Sequence, residues 1–257
     1  MTFKMHFYHL LLKGFHRLPD GAKLYLRSYK QQEPEYYHLK KLIKPNSLVV
    51  DIGSNEGAYS YEMSRAVGRG GLVVAIEPIK DLAEKLRNAC KQLRLPVIVE
   101  NCALSSFAGE SAFYIPTSDE GELRTGFSSL EKPSQSKYLV QNVKVRKLDE
   151  LMAHRDRPVS FIKCDTEGHE REVFLGASQL LLEDRPILLI EIEGKYIRYS
   201  VDEQIQFFEN MGYECYYLKN NQLIAKLPLN SDSFPDNPIE KSYQICAYNF
   251  MFFPKTK

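Results

Sequence analysis

The chain has 257 residues, of which 44% are hydrophobic and 26% charged, and this composition is ordinary for a soluble globular protein. Its length suits one large α/β domain with a modest extension better than two independent domains. The net charge of +1 argues against a chain that acts as a whole as an electrostatic footprint for nucleic acid, and no apolar run is long enough to span a membrane.

Residues 1–45 are predicted to form a basic, helical extension, and residues 46–257 the main domain. The extension has nine Lys or Arg against three acidic residues, whereas the rest of the chain carries a net charge of −5. An apolar stripe recurs near helical spacing at Phe3, Phe7, Leu10, Leu11 and Phe15. Packing against the sheet edge or against a second subunit in a homo-oligomer is the commoner fate of such a stripe. The alternative is peripheral contact of residues 1–18 with an anionic membrane surface.

The five cysteines occur singly, without a Cys-x-x-Cys pair, and several lie inside apolar runs where a thiol behaves as a small hydrophobic side chain. The run Leu10-Leu11-Leu12 is too short for the apolar core of a signal peptide. We therefore expect a cytoplasmic protein.

Strand and helix patterns alternate from about residue 46, which predicts βαβ units. The last two strands have no helix between them and are expected to pair antiparallel. The predicted fold class is therefore α/β, with a Rossmann-like seven-stranded sheet that is mostly parallel and ends in an antiparallel hairpin. The predicted strands cover 47–52, 72–76, 97–99, 159–164, 187–192, 213–218 and 243–253.

Two long polar connections, 116–141 and 220–241, interrupt this pattern. Connections of this length in a compact domain are usually functional lids or mobile loops. We predict that the first covers a bound substrate.

The turn after the first strand is the feature that best indicates which class of ligand the protein binds. It reads Asp51-Ile52-Gly53-Ser54-Asn55-Glu56-Gly57, and its glycines let the backbone turn sharply and bring a ligand close to amide groups at a helix N-terminus. Glu77 ends the second strand, where a carboxylate binds ribose hydroxyls. The Gly-x-Gly-x-x-Gly spacing is missing, which disfavours a dinucleotide-dependent oxidoreductase. An acid at Asp51 suits a phosphate-free ligand with a positively charged amino acid portion, such as S-adenosylmethionine.

Five blocks of the chain, over about residues 46–195, resemble the FkbM-type methyltransferase family. The resemblance implies the S-adenosylmethionine-dependent methyltransferase fold and O-methylation of a sugar, polyketide or related metabolite. Asn55 takes the place of a middle glycine found in many methyltransferases, and the family pattern accepts it. The blocks are Val50–Gly57, Glu77-Pro78, Asn101 with Ala103-Leu104, Ile162–Glu170, and Gly176-Ala177.

The resemblance also implies roles for single residues at the cofactor. Glu77 would hold the ribose, while Asn101 and Ala103 would lie beside the adenine. The alternatives are a solvated strand-end acid for Glu77 and a turn-forming side chain for Asn101. The residues around the methionine portion would be Asp51, Gly53, Ser54, Asn55 and Gly57.

Methyl transfer to a hydroxyl requires alignment of the acceptor and removal of its proton. His169 is the predicted base, because imidazole titrates near neutral pH and a helix N-terminus favours its neutral form. The alternative is that His169 only caps the helix or pairs with Glu170 or Glu172. Asp165 is expected to contact cofactor or acceptor, and Glu193 is the next candidate for the base.

No metal site is expected, although oxygen and imidazole ligands suit Mg²⁺ or Mn²⁺. The ligands would come from one turn in which the candidate side chains lie too close together along the chain. They are Asp165, Glu167, His169 and Glu170.

Two other functions remain open. A nucleic-acid methyltransferase has only the basic N-terminal segment in its favour, and the chain lacks the Asn/Asp-Pro-Pro-aromatic run of enzymes that methylate base amino groups. A non-catalytic protein of the same fold would bind the cofactor without turnover. We expect a small-molecule or glycan acceptor and no nucleic-acid partner.

Overall fold

The computed structural model describes residues 18–31, 33–133, 137–192, 199–219, 222–225 and 249–256. Five predicted features therefore lie outside the described residues in whole or in part. They are the amphipathic segment 1–18 apart from Leu18, residues 134–136 of the connection 116–141, the candidate base Glu193, all of the connection 220–241 except 222–225, and residues 243–248 of the last predicted strand.

Eleven strands, eight α-helices and one short 3₁₀ helix at Thr125–Phe127 are formed by the described residues. The strands are β1 (Leu48–Ile52), β2 (Leu72–Ile76), β3 (Val97–Glu100), β4 (Ala103–Leu104), β5 (Gly109–Pro116), β6 (Tyr138–Arg146), β7 (Val159–Cys164), β8 (Ile187–Glu191), β9 (Tyr213–Lys219), β10 (Gln222–Ala225) and β11 (Asn249–Pro254). The helices are α1 (Asp20–Lys30), α2 (Glu35–Leu42), α3 (Ala58–Val67), α4 (Lys80–Leu93), α5 (Leu148–Leu151), α6 (Glu170–Leu175), α7 (Ser178–Asp184) and α8 (Val201–Asn210).

The central sheet has the strand order β3-β2-β1-β7-β8-β11-β9-β10. The first five strands in this order are parallel, and β11 pairs antiparallel with both β8 and β9. The predicted α/β class and the antiparallel end of the sheet are thus confirmed. The order reverses between β1 and β7, and such a reversal opens a crevice at the carboxyl ends of the strands.

Helices cover both faces of the sheet, which explains why its central strands are continuous apolar runs. Along β1, Val50 packs into a core with Phe174 of α6 and Phe208 of α8. Val49 points to the opposite face and packs with Leu39 of α2 and other side chains there.

The described part of the predicted N-terminal extension consists of α1 and α2, and both helices contribute to the core. Leu24 of α1 is buried in one cluster with Leu86 of α4, and Leu39 of α2 in another with Met63 of α3. No helix among the described residues is both long enough and apolar enough to cross a bilayer.

The prediction of seven strands was wrong, because the central sheet has eight. The additional strand, β10, lies within the predicted connection 220–241 and pairs antiparallel with β9 at the sheet edge. Leu223 of β10 packs on the core, so this short strand gains apolar contact there.

A second sheet of three strands, in the order β4-β6-β5, has no counterpart in the prediction. Phe113 and Ile115 alternate along β5 and are buried on its inner face. Both ends of the predicted connection 116–141 belong to the hairpin of β5 and β6, so the loop between these strands is shorter than predicted.

The single helix predicted after β7 is divided into α6 and α7. A Cβ atom on Gly176 would lie 2.1 Å from the carbonyl oxygen of Ser105, so the chain approaches β4 too closely there for a larger residue. The predicted capping box at the start of α8 is present, with Ser200 and Glu203 each bonding the other's backbone N–H.

Candidate active site

Four acidic residues lie at or just beyond the carboxyl ends of adjacent parallel strands: Asp51 on β1, Glu77 after β2, Asp165 after β7 and Glu191 on β8. Two cavities open along this edge. The apolar cavity has a volume of about 550 Å³ including its open mouth and is lined by Ile76, Glu77, Ala103, Leu104, Phe113 and Leu130, among others. The acidic cavity, about 1380 Å³ including its open mouth, is lined by Glu33, Glu35, Asp51, Tyr59, Lys163 and Glu191, among others. Both cavities share Gly53, Asn55, Gly126, Asp165 and Glu167.

The turn after β1 separates the two cavities, and its glycines are required by geometry. Gly53 has φ +73°, and a Cβ atom there would lie 1.8 Å from the carbonyl oxygen of Asp165. Gly57 has φ +85°, and a Cβ atom there would lie 2.2 Å from Leu86. Asn55 also has a left-handed backbone, with φ +45°. Glycine at position 53 therefore lets the turn approach the end of β7, and glycine at position 57 lets it approach α4.

Three buried polar atoms of this turn make no hydrogen bond within the described residues: Asp51 Oδ1, Ser54 Oγ and Asn55 Oδ1. Burying such atoms without a partner is unfavourable. All three residues line the acidic cavity, so they offer unused hydrogen-bonding capacity to a ligand.

Glu77 is 4% exposed, and its carboxylate organises the turn. Oε2 accepts a hydrogen bond from the backbone N–H of Asn55 at 2.7 Å, and Oε1 accepts one from the N–H of Ile79 at 2.8 Å. Burial raises the pKa of Glu77 to about 7. Each oxygen retains a second lone pair, and the side chain lines the apolar cavity, so both can accept a further hydrogen bond.

Lys163 is a functional candidate that the sequence analysis missed. Its Nζ lies 2.9 Å from Asp165 Oδ2, and the side chain is buried. Burial by itself would lower the pKa of Lys163, but the carboxylates of Asp165, Asp51 and Glu191 raise it above its ordinary value. Lys163 therefore remains a cation that partly balances the acidic strand ends. The sequence does contain an indication of its importance, because Lys163 is the one charged residue of the otherwise uncharged strand Val159–Cys164.

Ala103 lines the apolar cavity with Glu77, and its contact with an adenine ring stays a prediction. The side chain of Asn101 binds the backbone instead: its Nδ2 donates hydrogen bonds to the carbonyl oxygens of Glu77 at 2.8 Å and Pro78 at 2.9 Å. This matches the turn-forming alternative, and contact of Asn101 with an adenine ring stays a prediction. Phe113 and Leu130, two further walls of the cavity, were not found from the sequence.

The loop between β5 and β6 closes one side of the apolar cavity through Thr125, Gly126, Ser128 and Leu130. Ser129 Oγ donates to the carbonyl oxygen of Thr166 at 2.9 Å and so ties the loop to the segment after β7. Gly126 also reaches the acidic cavity.

His169 is the N-cap residue of α6, and both of its ring nitrogens are in contact with protein groups. Nδ1 lies 2.8 Å from Glu131 Oε1, and Nε2 lies 3.0 Å from Ser105 Oγ. These partners differ from Glu170 and Glu172, which the sequence analysis considered. The imidazole thus links the loop after β5 to the end of β4.

Glu170 stabilises the turn after β7. Its Oε1 accepts hydrogen bonds from the N–H groups of Thr166 and Gly168 and from the Thr166 hydroxyl. Within the described part of the chain, no group of three His, Cys, Asp or Glu side chains is arranged to hold a metal ion.

Comparison with known proteins gives both sequence and structural matches. A family model described as the methyltransferase FkbM domain matches residues 51–215. No curated protein matches the chain. The structure is similar to methyltransferase FkbM from Methylobacillus flagellatus, with 15% identity and a TM-score of 0.49, over 95% of this chain and 60% of that one.

It is also similar to the O-methyltransferase from Bacillus cereus in complex with SAH. The identity is 14% and the TM-score 0.50, and the match covers 92% of this chain and 90% of that one. This likeness shows a common fold.

Proposed function

The chain belongs to the FkbM methyltransferase family, and we propose that it transfers the methyl group of S-adenosylmethionine to a hydroxyl of a sugar, polyketide or similar small molecule. The resemblance seen in the sequence is confirmed by this membership. One observation carries the proposal: an apolar and an acidic cavity meet at Gly53, Asn55 and Asp165, so a cofactor in one can face an acceptor in the other.

The residues present fit S-adenosylmethionine. The apolar walls that include Ala103, Phe113 and Leu130 suit an adenine ring, and Glu77 has free lone pairs for the two ribose hydroxyls. The unpartnered oxygens of Asp51 and Asn55 suit the ammonium of the methionine portion. When bound, S-adenosylmethionine supplies a methyl carbon that its sulfonium already activates.

Asp165 is the described residue best suited to receive the proton of the acceptor hydroxyl. It lines both cavities, and the contact of its Oδ2 with Lys163 Nζ fixes the carboxylate. In this proposal Lys163 stays protonated and orients Asp165. The oxygen of the acceptor would form its bond to the methyl carbon as the carbon–sulfur bond breaks and its electron pair stays on the sulfur, and the hydroxyl proton would pass to the carboxylate of Asp165.

His169 remains the second candidate for the base. Both of its ring nitrogens have protein partners, so it has to release Ser105 or Glu131 before it can accept a proton. We therefore assign His169 a positioning role, in which it holds the loop after β5 against the cofactor cavity.

The test uses S-adenosylmethionine with a labelled methyl group and a panel of sugar and polyketide alcohols. We expect label on a hydroxyl oxygen of at least one acceptor, identified by NMR of the product. Label on nitrogen or carbon, or cofactor binding without transfer to any acceptor, would contradict O-methylation.

The variants Asp165→Asn and His169→Gln separate the two candidates for the base. Loss of a general base lowers turnover by roughly 10²–10⁴-fold. We expect a loss of this size in kcat for Asp165→Asn, with affinity for S-adenosylhomocysteine within threefold of wild type. The opposite pattern, with the loss confined to His169→Gln and partly recovered at high pH, would make His169 the base.

A further inference from the structure

The acidic cavity has a wall that the cofactor does not account for. Glu33, just before α2, and Glu35, the first residue of α2, form this wall with Tyr59 of α3. Among the described residues that line the cavity, seven are acidic and one, Lys163, is basic.

Most of this negative charge has a cation nearby. Lys163 interacts electrostatically with Asp51, Asp165 and Glu191, and Arg27 forms an ion pair with Glu56. Burial and the neighbouring charge of Glu35 raise the pKa of Glu33, although a hydrogen bond with the Gln31 side chain and the charge of Lys163 act in the opposite direction. Among the described residues, Glu33 and Glu35 therefore carry the charge that is least balanced.

Glu35 shows this most clearly, because it is 6% exposed and its Oε2 makes no hydrogen bond with the described part of the chain. Burial raises its pKa, although its own backbone N–H and the side chain of Asn249 favour the charged form. A buried carboxylate in this position gains from a partner that brings both a hydrogen-bond donor and a positive charge.

Tyr59 adds an aromatic surface to this wall. Lys163 Nζ lies 4.9 Å from the ring centroid. Burial, followed by the charges of Glu35, Glu33 and other acidic groups, raises the pKa of the phenol well above its ordinary value, so Tyr59 stays neutral. An aromatic ring beside carboxylates is the combination that binds organic ammonium groups.

We propose that the acceptor carries a protonated amino group, which Glu35 and Glu33 bind beside Tyr59, so that the methylated hydroxyl belongs to an amino-bearing molecule such as an aminated sugar. This inference rests on the proposed function. A neutral polyol could donate a hydrogen bond to Glu35 Oε2 but would leave its charge uncompensated. The ammonium of S-adenosylmethionine would be taken by the turn after β1, which leaves this wall for the acceptor.

The experiment compares probes that differ in charge but little in size. Cyclohexylamine is paired with cyclohexanol, and glucosamine with glucose, in ligand-observed NMR on the full chain saturated with S-adenosylhomocysteine near neutral pH. We expect each ammonium probe to bind at least tenfold more tightly than its neutral partner. Equal affinities within both pairs, or no binding of either ammonium probe, would overturn the proposal.

Glu35→Gln should abolish this preference, because the amide keeps the size of the side chain and removes its charge. Glu33→Gln provides a second variant with the same expected direction, should the first fail to fold. The control is Glu84→Gln on α4, an exposed acid 3.8 Å from Lys80 Nζ, and it should keep the full preference. Preference retained in both cavity variants would also overturn the proposal.

Titration of S-adenosylhomocysteine into the same samples distinguishes two failures. Absence of cofactor binding in the wild-type chain would contradict the proposed function itself. Normal cofactor binding without ammonium preference would contradict only this inference. A loss of S-adenosylhomocysteine affinity in Glu35→Gln would assign the carboxylate to the cofactor and overturn its role at the acceptor.

Discussion

The substitution Glu77→Gln changes the residue that we assign to the ribose while it preserves side-chain size. The carboxylate accepts the N–H groups of Asn55 and Ile79, one on each oxygen. Glutamine has one acceptor oxygen and one donor group, so one of these buried N–H groups must lose its partner. The same change removes the negative charge that the ribose hydroxyls would contact.

Both losses can be given a magnitude. An unsatisfied buried donor costs about 1–3 kcal/mol, and we expect the free energy of unfolding to fall by that amount. A hydrogen bond to a charged group contributes roughly 1.5–3 kcal/mol. Since about 1.4 kcal/mol corresponds to a factor of ten, affinity for S-adenosylhomocysteine should fall roughly ten- to hundredfold.

Calorimetric titration with S-adenosylhomocysteine and denaturant unfolding measure the two effects separately. Glu100→Gln is the matched control, because Glu100 ends the neighbouring strand β3 and is partly exposed. It should change neither quantity by much. Unchanged cofactor affinity in Glu77→Gln, together with reduced stability, would show that Glu77 only holds the turn and would refute its assignment to the ribose.

The remaining predictions concern pH and the buried lysine. Burial raises the pKa of Glu77 from 4.5 to about 7, so the folded protein binds this proton more tightly than the unfolded chain does. The contribution of Glu77 to stability is therefore full below pH 4.5 and is lost as the pH rises towards 7. Unfolding measured across this window should show the decline in wild type and a smaller one in Glu77→Gln; equal slopes would refute the assignment of this titration. Lys163→Met leaves Asp51 and Asp165 without their buried cation, and thermal and denaturant unfolding should show a loss of about 3–5 kcal/mol. Wild-type stability in that variant would show that the carboxylates do not depend on Lys163.

The central sheet could be predicted because its strands are buried on both faces. β1, β2, β7 and β8 are short apolar runs bounded by turn residues, a pattern that local sequence records directly. β10 and the second sheet could not be predicted in this way. β10 has only four residues and forms by pairing with β9, and Phe113 on β5 becomes a strand residue through pairing with β6, which lies beyond a long loop.

The candidate active site likewise has residues whose position could be predicted from local sequence and residues whose position could not. Asp51, Glu77 and Asp165 follow buried strands, so the edge at which they meet could be predicted from the sequence. Glu35 could not, because nothing near it in the chain indicates that the start of α2 borders a cavity with β1, β7 and β8. The contact of His169 with Glu131 likewise depends on a loop whose position is set by the hairpin of β5 and β6.

The most direct test of the account is the position of S-adenosylhomocysteine in a crystal structure of its complex with the full chain. We predict the adenine between Ala103 and Leu130, the ribose hydroxyls on Glu77, and the amino acid portion against the turn that begins at Asp51. The sulfur would then face Asp165 and the acidic cavity. A ligand bound with its ribose away from Glu77, or with its sulfur directed away from Asp165, would contradict the account.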